Sequence, residues 1–282
     1  MTNELLSVII PTYNRVRYLE RAIRSVVDQS LSCDELIVVD DGSTDGTSEL
    51  LHRLAADGLR FRVLYQENRG AAAARNRGIM AAQGAFLAFL DSDDWWLTGK
   101  LARQTALMQD NPDFLISHTR EIWFRKGQRV NQKKKHDPPH GNIFAASVRM
   151  CVVGMSTVMA RRELFHSYGL FNESLPCCED YELWLRVACR EPFLLVPEAL
   201  TCKEGGRKDQ LSVIHRMGMD VYRIRALHSL VESGRLSRQQ QGEAINSLVE
   251  KCMIYGQGCH KHGRAEEGDL YLEMAVSYQS SW

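Results

Sequence analysis

Four short apolar runs in the first hundred residues each give way to a polar cluster, and a helix-length stretch separates each run from the next. The runs are Ser7–Ile10, stopping at Pro11; Leu36–Val39; the alternating Leu59, Phe61, Val63 and Tyr65; and Phe86–Leu90. Between them, Leu19, Ala22, Ile23, Val26 and Val27 share one helical face. Leu50, Leu51 and Leu54 mark a second helix that Ser43 or Thr44 can cap, and Ala71–Gln83 is helix-prone. Strands alternating with helices predict a parallel α/β sheet, whose ligands sit beyond the carboxyl ends of its strands. The clusters Pro11–Asn14, Asp40–Asp45, Asn68–Gly70 and Asp91–Asp94 therefore converge on one rim.

Each cluster carries ligand-binding groups, and each also has an ordinary structural reading. In Asp91-Ser92-Asp93-Asp94, acidic residues two apart at a strand end send their carboxylates to one side. Such oxygens suit Mg2+ or Mn2+, which bind through one or two carboxylates plus substrate phosphates; a polar turn uses the same residues. In Asp40-Asp41-Gly42-Ser43, a carboxylate can accept from the N3–H of a uracil ring, or the segment is simply a capped Asp-Gly turn. Tyr13 can stack on a base or pack. Asn68-Arg69-Gly70 and Arg75-Asn76 offer donors to phosphate or ribose oxygens. For Arg75, an internal salt bridge to one of the aspartates weighs about the same.

The second half is more mixed. Phe114–His118 and Cys151–Ala160 read as short β-like runs. The basic stretch Arg125–Gly141 between them reads as a solvated loop, with contact to an anionic acceptor or membrane surface as the alternative. Tyr181, Trp184 and Ala188 share a helical face that sets Asp180 in the first turn, where a carboxylate suits the helix dipole or can deprotonate a hydroxyl. Gly205–Ser212, with Arg207 and Lys208, is a loop able to close over a diphosphate, or a surface turn, and His215 beside it is a metal or phosphate contact or a structural histidine. Past Leu211 the strand signals stop. Helical faces follow at Val221, Ile224, Leu227 and Val231, at Ile245 through Cys259, and at Tyr271 through Tyr278. Tyr255–Ala275 loosely resembles a tetratricopeptide-type hairpin turning at Gly263, a unit that cannot bury its face alone. The chain thus divides into a sheet-bearing part, 1–212, and a helical part, 213–282, which packs on the first part or on a second copy of the chain.

Lys+Arg and Asp+Glu both count 35, so no global field draws the chain to nucleic acid, and an anionic ligand must be held by local groups. No apolar run approaches the roughly 18 residues of a membrane span, and Leu5–Pro11 is too short for a signal segment. A cytoplasmic protein is expected, with peripheral membrane contact left open. The eight cysteines form no CxxC pair and read as reduced, mostly structural thiols.

Taken together, VIIPTYNR (8–15), VVDDGSTDGT (38–47), ENRGAAAARNRG (67–78) and AFLDSDD (88–94) resemble, in this order, the family 2 inverting glycosyltransferases of the GT-A fold. The resemblance spans roughly residues 5 to 212. It implies a Rossmann-like, mostly parallel sheet flanked by helices, here with an α-helical extension. It further implies a nucleotide-sugar donor, with uridine as the first expectation, Mn2+ or Mg2+ as cofactor, and a hydroxyl acceptor that the residues do not identify. By the same resemblance, Pro11, Tyr13 and Asp41 match nucleobase-binding positions. Asp91 and Asp93 match the DxD motif, Asp93 as metal ligand and Asp91 nearer the ribose, while Asp94 fits less well. Cys178-Glu179-Asp180-Tyr181 matches the segment that holds the catalytic base, making Asp180 the base. The competing expectations are a sugar transferase acting on polyprenyl phosphate and a nucleotide-sugar-binding scaffold without activity.

Overall fold

The computed structural model describes residues 5–215 and 218–281. β1 (Leu6–Thr12) is buried along its whole length, as an uninterrupted apolar run in a central strand must be. It runs through Pro11, which sits opposite Val39, instead of stopping there. Pairing to the strand on its other side ends at Ile9, so one edge is open where proline brings no N–H. α1 (Val16–Val27) buries Leu19, Ala22, Ile23 and Val26, while Val27 falls off that face and is exposed. β2 (Glu35–Asp40), α2 (Thr47–Ala56), β3 (Arg62–Tyr65), α3 (Ala71–Ala81) and β4 (Phe86–Phe89) complete the alternation. Neither Ser43 nor Thr44 caps α2. Its N-cap is Gly46 at φ 89°, and Asp45 accepts from Thr47 N, which leaves Ser43 Oγ to accept from Asn14 N and lock the first two rim loops together.

Then come β5 (Trp95–Trp96), α4 (Lys100–Asp110), β6 (Ile116–Arg125), β7 (Gln128–Val130), α5 (Phe144–Ser147), β8 (Met159–Arg161), α6 (Arg162–Tyr168), α7 (Glu179–Ala188) and β9 (Leu194–Gly205). The stretch expected as a loop from Arg125 is in part a hairpin. Lys126 and Gly127 both take positive φ, the geometry of a tight two-residue turn, and fold β7 back on β6. Of the Cys151–Ala160 run, only its end lies in a strand, because Met155–Thr157 winds into a 3-10 turn before β8. α8 (Leu211–Ile214), α9 (Met219–Glu232), α10 (Arg238–Lys261) and α11 (Ala265–Ser281) follow, with the α10–α11 turn at Gly263, φ 73°.

The strands form one sheet in the order β3-β2-β1-β4-β8-β6-β9-β5, with β7 beside β6. It is parallel from β3 to β4 and mixed beyond, where β8 runs against both β4 and β6. Alternate residues feed opposite faces. Val8, Ile10, Leu36 and Val38 pack under α1, α2 and α4. Ile9, Ile37, Val39 and Phe89 join a core that continues through α7 into α9, α10 and α11. The helical part therefore shares the hydrophobic core of the sheet's second face.

Candidate active site

The rim of β1 to β4 opens on a cavity of about 940 Å3. Pro11, Tyr13, Asp41, Asn68, Arg75, Asp91, Asp93 and Asp180, which the sequence singles out from both halves of the chain, all line it. His215 lines it too, its ring edge-on to Tyr222.

At the β2 end, Asp41 is 3% exposed. Its Oδ1 accepts from Gln66 Nε2 (2.6 Å) and Arg69 N (2.9 Å), and its Oδ2 accepts from Gly70 N (2.8 Å). A carboxylate has about four acceptor sites, so one remains on Oδ2 for a ligand N–H. Gly42, at φ 79°, permits this turn, since a Cβ there would lie 3.0 Å from Asn68 N. Tyr13, also in the cavity lining, is 44% exposed and so accessible to a planar ligand.

At the β4 end the carboxylates divide by their partners. Asp94 is inward, accepting from Ser156 Oγ (2.7 Å) and Glu204 N (3.2 Å), and burial followed by Asp93 pushes its carboxyl well up. It is a structural residue here. Asp91 accepts from Arg75 Nη2 at 2.7 Å; burial opposes its charge, but Arg75 and then Lys203 outweigh that and hold it below the usual range. Asp93 is pushed up by burial and by Asp91, against the pull of Arg207 and Arg15. Its Oδ2 accepts from Arg207, while its Oδ1 makes no hydrogen bond among the described residues.

Arg75 takes the internal salt bridge. Its guanidinium, 5% exposed, reaches Asp91 with one nitrogen and Glu179 Oε1 at 2.5 Å with another. Burial disfavours its charge, and the two carboxylates more than restore it. The residue so ties the rim of β4 to the first turn of α7. Asp180, next in sequence to Glu179, is thereby fixed across the cavity. Its Oδ1 accepts from Tyr181 N (2.7 Å), and its Oδ2 faces Cys151 Sγ at 3.5 Å. Burial first, then the Glu179 charge, raise Asp180 to about 6. A carboxyl in that range takes up a proton readily near neutral pH, which suits a general base.

Some groups here went unremarked in sequence, while Arg207 and Asp209 belong to the Gly205–Ser212 loop read there as able to close over a diphosphate. Lys203, on β9 beside buried Cys202, puts Nζ 3.7 Å from Glu121, and Glu121 together with Asp94, Asp91 and Asp180 keeps it charged against burial. Strand alternation was the signal that could have found it. The loop after β9 crosses the same wall, with Arg207 on Asp93 and Asp209 2.8 Å from Arg15. Cys151 stays protonated, its thiol raised by burial and by Asp180, and all eight cysteines are free.

Among the described residues no three His, Cys, Asp or Glu side chains could hold a metal ion on their own. The donor set nonetheless fits a hard cation. Asp91 and Asp93 line the cavity together at the β4 end, Asp93 Oδ1 makes no hydrogen bond among the described residues, and Mg2+ or Mn2+ commonly takes only one or two protein carboxylates. No helix of the described residues is long and apolar enough to cross a membrane.

The sequence model described as Glycosyl transferase family 2 matches residues 7–169, more than half of the chain. An uncharacterized glycosyltransferase of Rickettsia felis is 39% identical over 191 residues, a match covering 66% of this chain and 30% of the relative. The chain thus spans less than a third of that relative's length. UDP-Glc:alpha-D-GlcNAc-diphosphoundecaprenol beta-1,3-glucosyltransferase WfaP of Escherichia coli is 32% identical over 189 residues, covering 65% of this chain and 70% of WfaP. The structure of a mannosyltransferase from Pyrobaculum calidifontis with GDP-Man and Mn2+ superposes with a TM-score of 0.67 at 16% identity, over 97% of this chain and 75% of that one, a likeness of fold. Sequence model, relatives and fold agree: the chain belongs to glycosyltransferase family 2 and has a GT-A-type fold.

Proposed function

We propose that the enzyme moves a sugar, with inversion, from a UDP-sugar to a hydroxyl of a glycan or glycoconjugate acceptor, with the help of Mn2+ or Mg2+. The observation that carries this is the shared cavity of Asp41, Asp93 and Asp180. The UDP-Glc donor in WfaP's name and the Mn2+ bound by the mannosyltransferase support the donor and the metal. In this reading the base lies against Asp41 and Tyr13, and Asp91 faces the ribose. Asp93 and Asp91 would hold the metal, which when bound offsets the charge of the departing diphosphate.

The chain's own residues supply the rest. Arg75 does not bind phosphate in this scheme; it fixes Asp91 and the start of α7 together. The acceptor oxygen attacks the anomeric carbon from the face opposite the diphosphate. Its proton passes to Asp180 Oδ2, the oxygen not engaged by Tyr181 N, while the bond from the anomeric carbon to the phosphate oxygen breaks and the diphosphate leaves with the electron pair. Arg207 and Arg15, now on Asp93, are placed to turn to the diphosphate. A phosphate acceptor would arrive already anionic, so a base raised to about 6 favours a hydroxyl acceptor over polyprenyl phosphate. A cytoplasmic location belongs to the same proposal.

Purified protein incubated with UDP-, GDP- and dTDP-sugars and Mn2+ tests the reading. Release of UDP alone, suppressed by EDTA, is expected. Turnover of a GDP- or dTDP-sugar instead overturns the uridine assignment, and turnover indifferent to EDTA overturns the metal.

A further inference from the structure

The cavity wall holds a further cation whose ion-pair partner, among the described residues, lies on its own helix and outside the cavity lining. Arg15, Arg69 and Arg75 each pair with carboxylates that also line the cavity, namely Asp93, Glu173, and Asp91 with Glu179. Lys203 is balanced by Glu121 and the neighbouring aspartates. Arg223, on α9, is different. Among the described residues its ion pair is with Asp220, one turn back on its own helix, at 3.3 Å and 41% exposed. Its side chain is 28% exposed, and its Nε, like that of Arg75, is buried with no hydrogen-bond partner.

Its surroundings place it on the acceptor side. α9 packs on α7, and Cys178 Sγ, at the N-cap of α7, lies 4.0 Å from Met219 O. Cys178, Asp220, Cys151 and Tyr181 are among the groups close enough to interact with the Arg223 charge, and Cys151 Sγ and Tyr181 N both contact Asp180. Met155, Pro176 and Met219 make the rest of this end apolar. A guanidinium with a buried, unpaired Nε–H has a donor left for a ligand, and its planar fork matches phosphate and carboxylate.

Resting on the glycosyl-transfer reading, we propose that Arg223 is an acceptor-recognition residue, and that the acceptor carries an oxyanion, a phosphate ester or a uronate carboxylate, close to the hydroxyl that Asp180 deprotonates. The helical part of the chain, outside the matched family segment, thus completes the wall of the site. A neutral acceptor would leave Arg223 as it stands; an anionic one supplies the missing partner and is selected for it.

The test is calorimetric titration of the full chain with glucose 1-phosphate, glucuronate and methyl glucoside, each with and without UDP and Mn2+. The native protein should bind at least one anionic probe about tenfold or more tightly than methyl glucoside. Arg223→Gln should erase that preference, and Arg223→Lys, which keeps the charge but not the fork, should retain part of it. Which anion is preferred separates a phosphate-bearing from a uronate-bearing acceptor. Equal binding of all three probes, binding of neither anion, or an unchanged preference in Arg223→Gln overturns the proposal. Failure of UDP to bind overturns the donor reading alone, because the anion preference is also read without nucleotide.

Discussion

Replacing Asp180 with Asn keeps the side chain's size and its hydrogen bond to the helix while removing the proton acceptor. Tyr181 N donates to Oδ1, a bond that an amide oxygen also accepts, so the start of α7 is preserved. What is lost is the carboxylate charge at Oδ2. General-base catalysis is worth about 10²–10⁴-fold, or about 3–5 kcal/mol of barrier, and Asp180→Asn should lose about that much in turnover. The pH profile gives a second reading of the same group. The base works only when deprotonated, and burial with Glu179 raises Asp180 to about 6. The logarithm of kcat/KM should therefore rise with unit slope as pH increases towards about 6 and level off above it, and the variant should show no such limb. Release of UDP from UDP-glucose with Mn2+, followed from pH 5 to 8, measures both. A variant within about tenfold of the native rate, or a native profile flat between pH 5 and 7, would refute the assignment.

Three other perturbations follow from the same geometry. Glu179→Gln removes a charge that raises Asp180, so the acid limb should move below about 6; an upward move would contradict this electrostatic account. Arg75→Met strands Glu179, itself only 5% exposed, and should cost about 3–5 kcal/mol in urea unfolding, with a loss under about 1 kcal/mol counting against the ion-pair network. Gly84→Ala would place a Cβ 2.6 Å from Ser7 N and 2.7 Å from Phe86 O; since both are backbone, it should destabilise by about 1–3 kcal/mol, and an unchanged urea midpoint would show that the β1–β4 approach has slack.

The parallel half of the sheet was legible in the sequence because buried strands are continuous apolar runs and turn residues punctuate them. That periodicity also brought Asp41, Asp91 and Asp93 to one rim without any knowledge of pairing. Partner choice was not legible. Arg75 offered phosphate contact and an internal bridge on similar terms, since Glu179, its second carboxylate, lies 104 residues away and comes near only when the fold brings the start of α7 to the same rim. Asp94 looks like its neighbours in sequence, yet Ser156 and the β9 backbone draw it inward. The β6–β7 hairpin was hidden by its basic composition, because exposed lysines and arginines mask strand alternation. Arg223 had no local signal at all. It became a site residue through the core that α9 shares with α7, a long-range packing outcome.

A crystal structure of the protein with UDP and Mn2+ tests the central claim most directly. Uracil should lie against Asp41 and Tyr13, with the metal between Asp93 and the diphosphate, Arg207 released from Asp93, and Asp180 facing the open space beyond the β-phosphate. Nucleotide bound outside this cavity, or bound within it while Asp93 keeps its pairing to Arg207 and coordinates no metal, would contradict the account.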